Sequence, residues 1–189
     1  MAGKQNEISH QCALELLTIG NDRYVADLAD RPNATRRRRL ETGSGQWPFA
    51  IVLTCADSRV SPELIFDQGV GDIFVSRVAG NVASKEVVGS IQYAVKYIQT
   101  ELVVVLGHEG CGAVGAAIKP PKAPPTELRD LVKQIKSAIG TQKQIQKAIE
   151  KNAKYQATQL RKALKGTGLR HAKVVAATYG LRSGEVKWL

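Results

Sequence analysis

The chain has 189 residues, enough for one domain with a sizeable core, and its 43% hydrophobic and 23% charged content is that of a folded globular protein. Three cysteines argue against a disulfide framework, and no apolar run reaches the roughly 18 residues that span a bilayer. The net charge of +10 is uneven: residues 1–118 carry 11 basic and 13 acidic groups, and residues 119–189 carry 16 and 4.

Residues 1–7 lack the apolar core of a secretory signal, so a cytoplasmic location is expected. Over 7–29, Ile8, Cys12, Leu16, Ile19, Tyr24 and Leu28 recur at helical spacing. Gly20 is expected to kink or split this helix, and Cys12 to be a small buried hydrophobe. The basic run Arg36 to Arg39 reads as an exposed turn or an interface, not a localisation signal. After the loop at Gly43-Ser44-Gly45, residues 49–54 form a first strand ending at Cys55. A short helix over 62–66 and a turn at Gly69-Val70-Gly71-Asp72 lead to a second strand over 73–78. Ala79-Gly80-Asn81 is a tight connection to a helix over 84–98. Residues 102–106 are continuously apolar, as in a strand covered on both faces. A short helix to Ile118, a surface connection with four prolines over 119–125, and helices over 126–139 and 141–165 follow. A fourth buried strand covers 174–178, and a short edge strand 184–189.

Strands alternating with helices give an α/β fold: a mainly parallel sheet of four strands plus a short edge strand, flanked by helices. The whole of 1–189 reads as a single domain, with a helical arm over 1–45 and an α/β core over 46–189. The basic residues of the last third recur at helical intervals without interleaved aromatic residues. A solvated helical face is therefore expected, with no membrane or nucleic-acid partner.

Two segments carry chemistry: Cys55-Ala56-Asp57-Ser58-Arg59 and His108-Glu109-Gly110-Cys111-Gly112. Both follow strands, and in open α/β sheets sites form beyond the carboxyl ends of strands. Two thiolates, one imidazole and one carboxylate are the ligand types of tetrahedral zinc, and each segment can reach one ion from a single turn. Arg59 can grip the Asp57 carboxylate in a bidentate fork and hold it off the metal. The fourth position then stays open to water, as in catalytic zinc. With Asp57 as a permanent ligand, the site would instead be closed and structural.

The chain also resembles the β-class carbonic anhydrases. The likeness runs through Cys55-Ala56-Asp57-Ser58-Arg59-Val60 and Pro62-Glu63, then Ile65-Phe66-Asp67-Gln68-Gly69-Val70-Gly71-Asp72. It continues through Arg77-Val78-Ala79-Gly80-Asn81, Gly107-His108 and Cys111-Gly112-Ala113-Val114. The resemblance implies one Zn2+ per chain held by Cys55, His108 and Cys111, with Asp57 and Arg59 as a catalytic dyad and Asp57 as fourth ligand in a closed state. It implies reversible hydration of CO2 to bicarbonate and a proton, or, on the same zinc, hydrolysis of COS or CS2. It further implies a homodimer, or a higher homo-oligomer built from dimers, whose N-terminal helices pack on the partner. Gln46 would reach substrate across that dimer, and Gly80 and Asn81 would shape the pocket floor. Phe66 and Tyr93 are expected in the core rather than the cleft. Glu109 stands where the resemblance leads one to expect a small polar residue, and is expected to face solvent. A non-catalytic zinc-stabilised module binding an anionic partner through the basic C-terminal third is the alternative from a different class.

Overall fold

A computed structural model describes residues 8–189. The seven residues read for a secretory signal lie outside the described residues. Helix α1 spans His10–Val25 and α2 Arg36–Thr42. Strand β1 is Ala50–Thr54, α3 Pro62–Ile65 and β2 Ile73–Arg77. A 3-10 turn, Ala79–Asn81, precedes α4, Lys85–Tyr93, which widens into a π-helical turn over Ala94–Ile98. Strand β3 is Leu102–His108, α5 Gly112–Ile118, α6 Thr126–Ile139 and α7 Ile145–Gly166. Strands β4, Lys173–Tyr179, and β5, Val186–Trp188, close the chain.

The sheet order is β2-β1-β3-β4-β5, parallel except for the antiparallel pair β4 and β5. The sheet period of two sends alternate side chains to opposite faces. Ile51, Leu53, Val103 and Val105 pack with Ile91 and Val95 of the α4 segment and Ala153, Ala157 and Leu160 of α7. Ala50, Val52, Leu102, Val104 and Leu106 face Ala13 and Leu17 of α1 with Ile65 and Phe66. A third apolar cluster, with α5, α6 and α7, gathers around Cys55 and Cys111. The chain leaves β1 for β2 on one side, and β3 pairs with β1 on the other. The crevice beyond the ends of β1 and β3 is thus the switch point where α/β sheets take ligands.

Four expectations need correction. Helix α1 runs through Gly20 unbroken, because the missing side chain admits the Phe66 carbonyl; a Cβ there would sit 1.9 Å from that oxygen. Cys12 is exposed, since the buried side of α1 is Ala13, Leu17, Gly20 and Asn21. Arg36 to Arg39 are not a turn but most of α2, capped by the Thr35 side chain, which accepts from the Arg38 N–H. Helix α7 starts at Ile145, not 141, after a turn in which the Gln142 side chain accepts from the N–H groups of Lys143 and Gln144.

Candidate metal centre

Cys55 follows β1, His108 ends β3 and Cys111 caps the start of α5. Their ligand atoms lie within 4.8 Å of one another, and all three residues are buried. The sheet enforces this meeting: Thr54 pairs with Leu106, and its hydroxyl donates to the Leu106 carbonyl at 3.0 Å. Gly107 lets α7 approach β3 closely, because a Cβ there would lie 3.2 Å from Ile149.

The imidazole of His108 is fully buried, and its Nδ1 lies 2.9 Å from the Glu109 carbonyl. A carbonyl only accepts, so Nδ1 carries the proton and Nε2 presents a lone pair. That Nε2 has no hydrogen-bond partner among the described residues. A buried nitrogen left bare costs free energy unless something coordinates it. The donor set therefore fits a zinc ion, with the Glu109 carbonyl fixing the ring from behind.

The two neighbouring thiols shift in opposite directions. Hydrogen bonding from Cys111 pulls the Cys55 thiol down to about 4 against its burial, helped by the N–H groups of Gly80 and Asp57. The same contact, with burial, pushes Cys111 up. A cation between them would draw both sulfurs into coordination as thiolates.

Asp57 lies outside this trio of donors. Arg59 grips it as a fork: Nε donates to Oδ1 at 2.9 Å and Nη2 to Oδ2 at 2.7 Å, with the Arg59 backbone N–H adding 3.0 Å to Oδ1. The guanidinium holds the Asp57 carboxyl well below the usual carboxylate range. Oδ2 is 3.9 Å from His108 Nε2, so the carboxylate stands beside the donors.

Gly80 and Asn81 both join the site's surroundings. The Gly80 N–H donates to Cys55 Sγ at 3.3 Å, and Asn81 is buried with its Nδ2 lacking a partner among the described residues. Gln46 does not join them within one chain. It is exposed ahead of β1, whereas the donors lie past the end of that strand, roughly 17 Å on at about 3.3 Å per residue. Phe66 is wholly buried and stacks on Trp188, whereas Tyr93 is 52% exposed beside Tyr97 and belongs to neither core nor cleft. Glu109 is exposed yet not idle, accepting from the Leu181 N–H at 3.1 Å.

The sequence reading gave no role to Arg77, which ends β2. It donates to the Cys55 carbonyl at 3.2 Å and the Asp57 carbonyl at 2.7 Å, clamping the turn between donor and carboxylate. The structure sets it in register with Thr54, and the signal in the sequence was its place in the Arg77-Val78-Ala79-Gly80-Asn81 likeness.

A family model described as Carbonic anhydrase matches residues 50–186. "Carbonic anhydrase 2" of Mycobacterium tuberculosis is 44% identical over 130 residues, 67% of this chain and 63% of that protein. The chain thus matches just under two thirds of that relative's length. Among solved structures, a Coccomyxa β-carbonic anhydrase in complex with acetazolamide superposes with a TM-score of 0.71 at 22% identity, covering 93% of this chain and 86% of that one. The apo form of a carbon disulfide hydrolase gives 0.57 at 17% identity, covering 80% and 86%. At these identities the two structural likenesses speak to the fold alone.

Proposed function

The chain belongs to the β-class carbonic anhydrase family, and on that premise we propose that it catalyses reversible hydration of CO2 to bicarbonate and a proton. The observation that supports this most is the bare, buried Nε2 of His108 among two sulfurs, beside a carboxylate forked by Arg59. Cys55, His108 and Cys111 would hold one zinc per chain. When bound there, zinc supplies a Lewis acid that brings the pKa of a water in its fourth position toward about 7.

The remaining work falls to the chain's own groups. Arg59 occupies both oxygens of Asp57 and so keeps the carboxylate from becoming a fourth ligand. Held well below the usual range, Asp57 stays ionised at neutral pH and can only accept. It orients an attacking O–H by accepting its proton in a hydrogen bond, which aims the oxygen lone pair at the carbon of CO2. Release of Asp57 from Arg59 would let it fall onto the metal and close the site. Gly80 and Asn81 shape the pocket floor, and Arg77 fixes the Cys55–Asp57 turn.

A homodimer completes the site. Leu16, Ile19, Val25 and Leu28 leave apolar side chains exposed along the N-terminal segment, which a second copy would cover. Gln46 of that copy would supply a hydrogen-bond donor to bicarbonate. No helix among the described residues is long and apolar enough to cross a membrane. A reducing cytoplasm would keep Cys55 and Cys111 free for metal.

Stopped-flow CO2 hydration, run beside sulfide release from COS and CS2, tests this reading on wild type and Asp57→Ala. Hydration in the wild type that collapses in the variant while zinc is retained is expected. Sulfide release with negligible CO2 turnover would overturn the choice of substrate.

A further inference from the structure

Helix α7 buries Ala148, Ile149, Ala153, Ala157, Leu160 and Leu164 against the sheet, as an amphipathic helix should. Two amides interrupt this stripe: Asn152 is 0% and Gln156 3% exposed. They stand at i and i+4, so they are neighbours on one face. Burying an amide costs free energy unless its polar atoms are paired. These are paired in a chain. Gln156 Oε1 accepts from the Ala83 N–H at 3.0 Å, and Gln156 Nε2 donates to Asn152 Oδ1 at 3.0 Å. Asn152 Nδ2 then donates to the Gly80 carbonyl at 2.8 Å.

The far end of this chain is the metal centre. Gly80 has φ +69°, and a Cβ on it would lie 2.5 Å from Ile135 Cδ1, so the turn is wedged in a conformation that needs glycine. Its carbonyl is held by Asn152 while its N–H reaches Cys55 Sγ at 3.3 Å. Ala83 anchors the residues following the same turn.

We propose that Asn152 and Gln156 are positioning residues for the Cys55 sulfur, fixing the Ala79–Asn81 turn so that the Gly80 amide hydrogen-bonds to that metal ligand. This rests on the zinc reading of the site. The amide hydrogen bond draws electron density from the thiolate and fixes the direction of its lone pairs. Outer hydrogen bonds of this kind are worth ~10–100-fold in metal affinity. The amide pair on α7 thus extends the site from the sheet edge into the helical layer.

The test uses the near-isosteric variants Asn152→Leu and Gln156→Met, with Leu164→Ala, two turns beyond Gln156 and 2% exposed, as a control that destabilises α7 away from the chain of amides. Zinc affinity is measured by chelator competition, and the thiolate-to-metal absorption band on the cobalt(II)-loaded proteins. Asn152→Leu is expected to bind zinc ~10–100-fold more weakly and to shift the band. Gln156→Met should show a smaller change in the same direction, and Leu164→Ala should match the wild type in both. If Asn152→Leu does not fold, Gln156→Met is read alone by the same criteria. Cadmium-113-loaded wild type should also show scalar coupling from the metal to the Gly80 amide proton. Variants matching a zinc-binding wild type in affinity and band, or no coupling to Gly80, would overturn the positioning role alone. A wild type that binds no metal through thiolate would remove the zinc reading and this role with it.

Discussion

The two ends of this fold are fastened by different forces. Around the donors, β1 and β3 are buried along their whole length, and Val, Leu and Ile side chains fill both faces. The N-terminal segment sends only Ala13 and Leu17 fully into that core, and is held otherwise by polar contacts at a few points. Asp67, its side chain 1% exposed, accepts from Arg23 Nε at 2.6 Å and from the N–H groups of Asp30 and Arg31. Asp72 accepts from Asn33, from Arg38 and from the Gly69 N–H. Asn21 binds the Ile65 and Gly184 carbonyls and the Val186 N–H. A region packed by apolar area is indifferent to pH, whereas one tied by buried carboxylates is not. The difference teaches that the arm can be loosened while the donor cluster survives.

The largest expected effect breaks the donor end without touching the arm. Cys111→Ser removes one sulfur, and zinc affinity should fall by more than the ~100-fold that an outer hydrogen bond is worth. Inductively coupled plasma measurement of zinc per chain checks this, and retention of a full zinc would argue against the ligand assignment.

Asp67→Ala breaks the other end. Removing one partner of a buried pair costs about 3 kcal/mol, so urea unfolding should show that loss while zinc content is unchanged. The same group sets an acid limit. Burial alone would raise the Asp67 carboxyl, but hydrogen bonds from Arg23 and the Asp30 and Arg31 N–H groups outweigh it and hold it lowered. A carboxyl lower in the folded than in the unfolded chain contributes stability in full above the unfolded value of about 4. That contribution is lost as pH falls through the folded value. Melting temperature should therefore fall below pH 4 more steeply in wild type than in Asp67→Ala; parallel curves would count against an ionic fastening.

Two glycines sharpen the contrast with smaller effects of opposite sign. Gly20→Ala drives a Cβ into the Phe66 carbonyl where α1 meets the core, and should cost about 2–3 kcal/mol. Gly89→Ala, in α4 with nothing within 4 Å, should stabilise by about 0.5–1 kcal/mol through helix propensity. Chemical denaturation of both variants checks the signs.

The same contrast governs what the sequence made legible. Strands β1, β3 and β4 were readable because a continuous apolar run bounded by turn residues leaves few alternatives. The donor pairs were readable because each lies at the end of such a run. The arm was misread because little of its attachment is apolar. On α1 the periodic pattern picks out Leu16 and Ile19, which are exposed, while Ala13, Gly20 and Asn21 make the close contact. Four consecutive arginines hide α2, since the helix depends on the Thr35 cap and on Arg38 meeting Asp72 from 34 residues away. Asn152 and Gln156 were hidden likewise: their backbone partners at Gly80 and Ala83 lie more than 70 positions away along the chain.

The measurement that bears most directly on the centre of this reading is zinc X-ray absorption fine structure on the purified, zinc-loaded protein. Two sulfurs at ~2.3 Å with two nitrogen or oxygen neighbours at ~2.0–2.1 Å are expected. A shell without sulfur, or a folded chain that takes up no zinc, would contradict it.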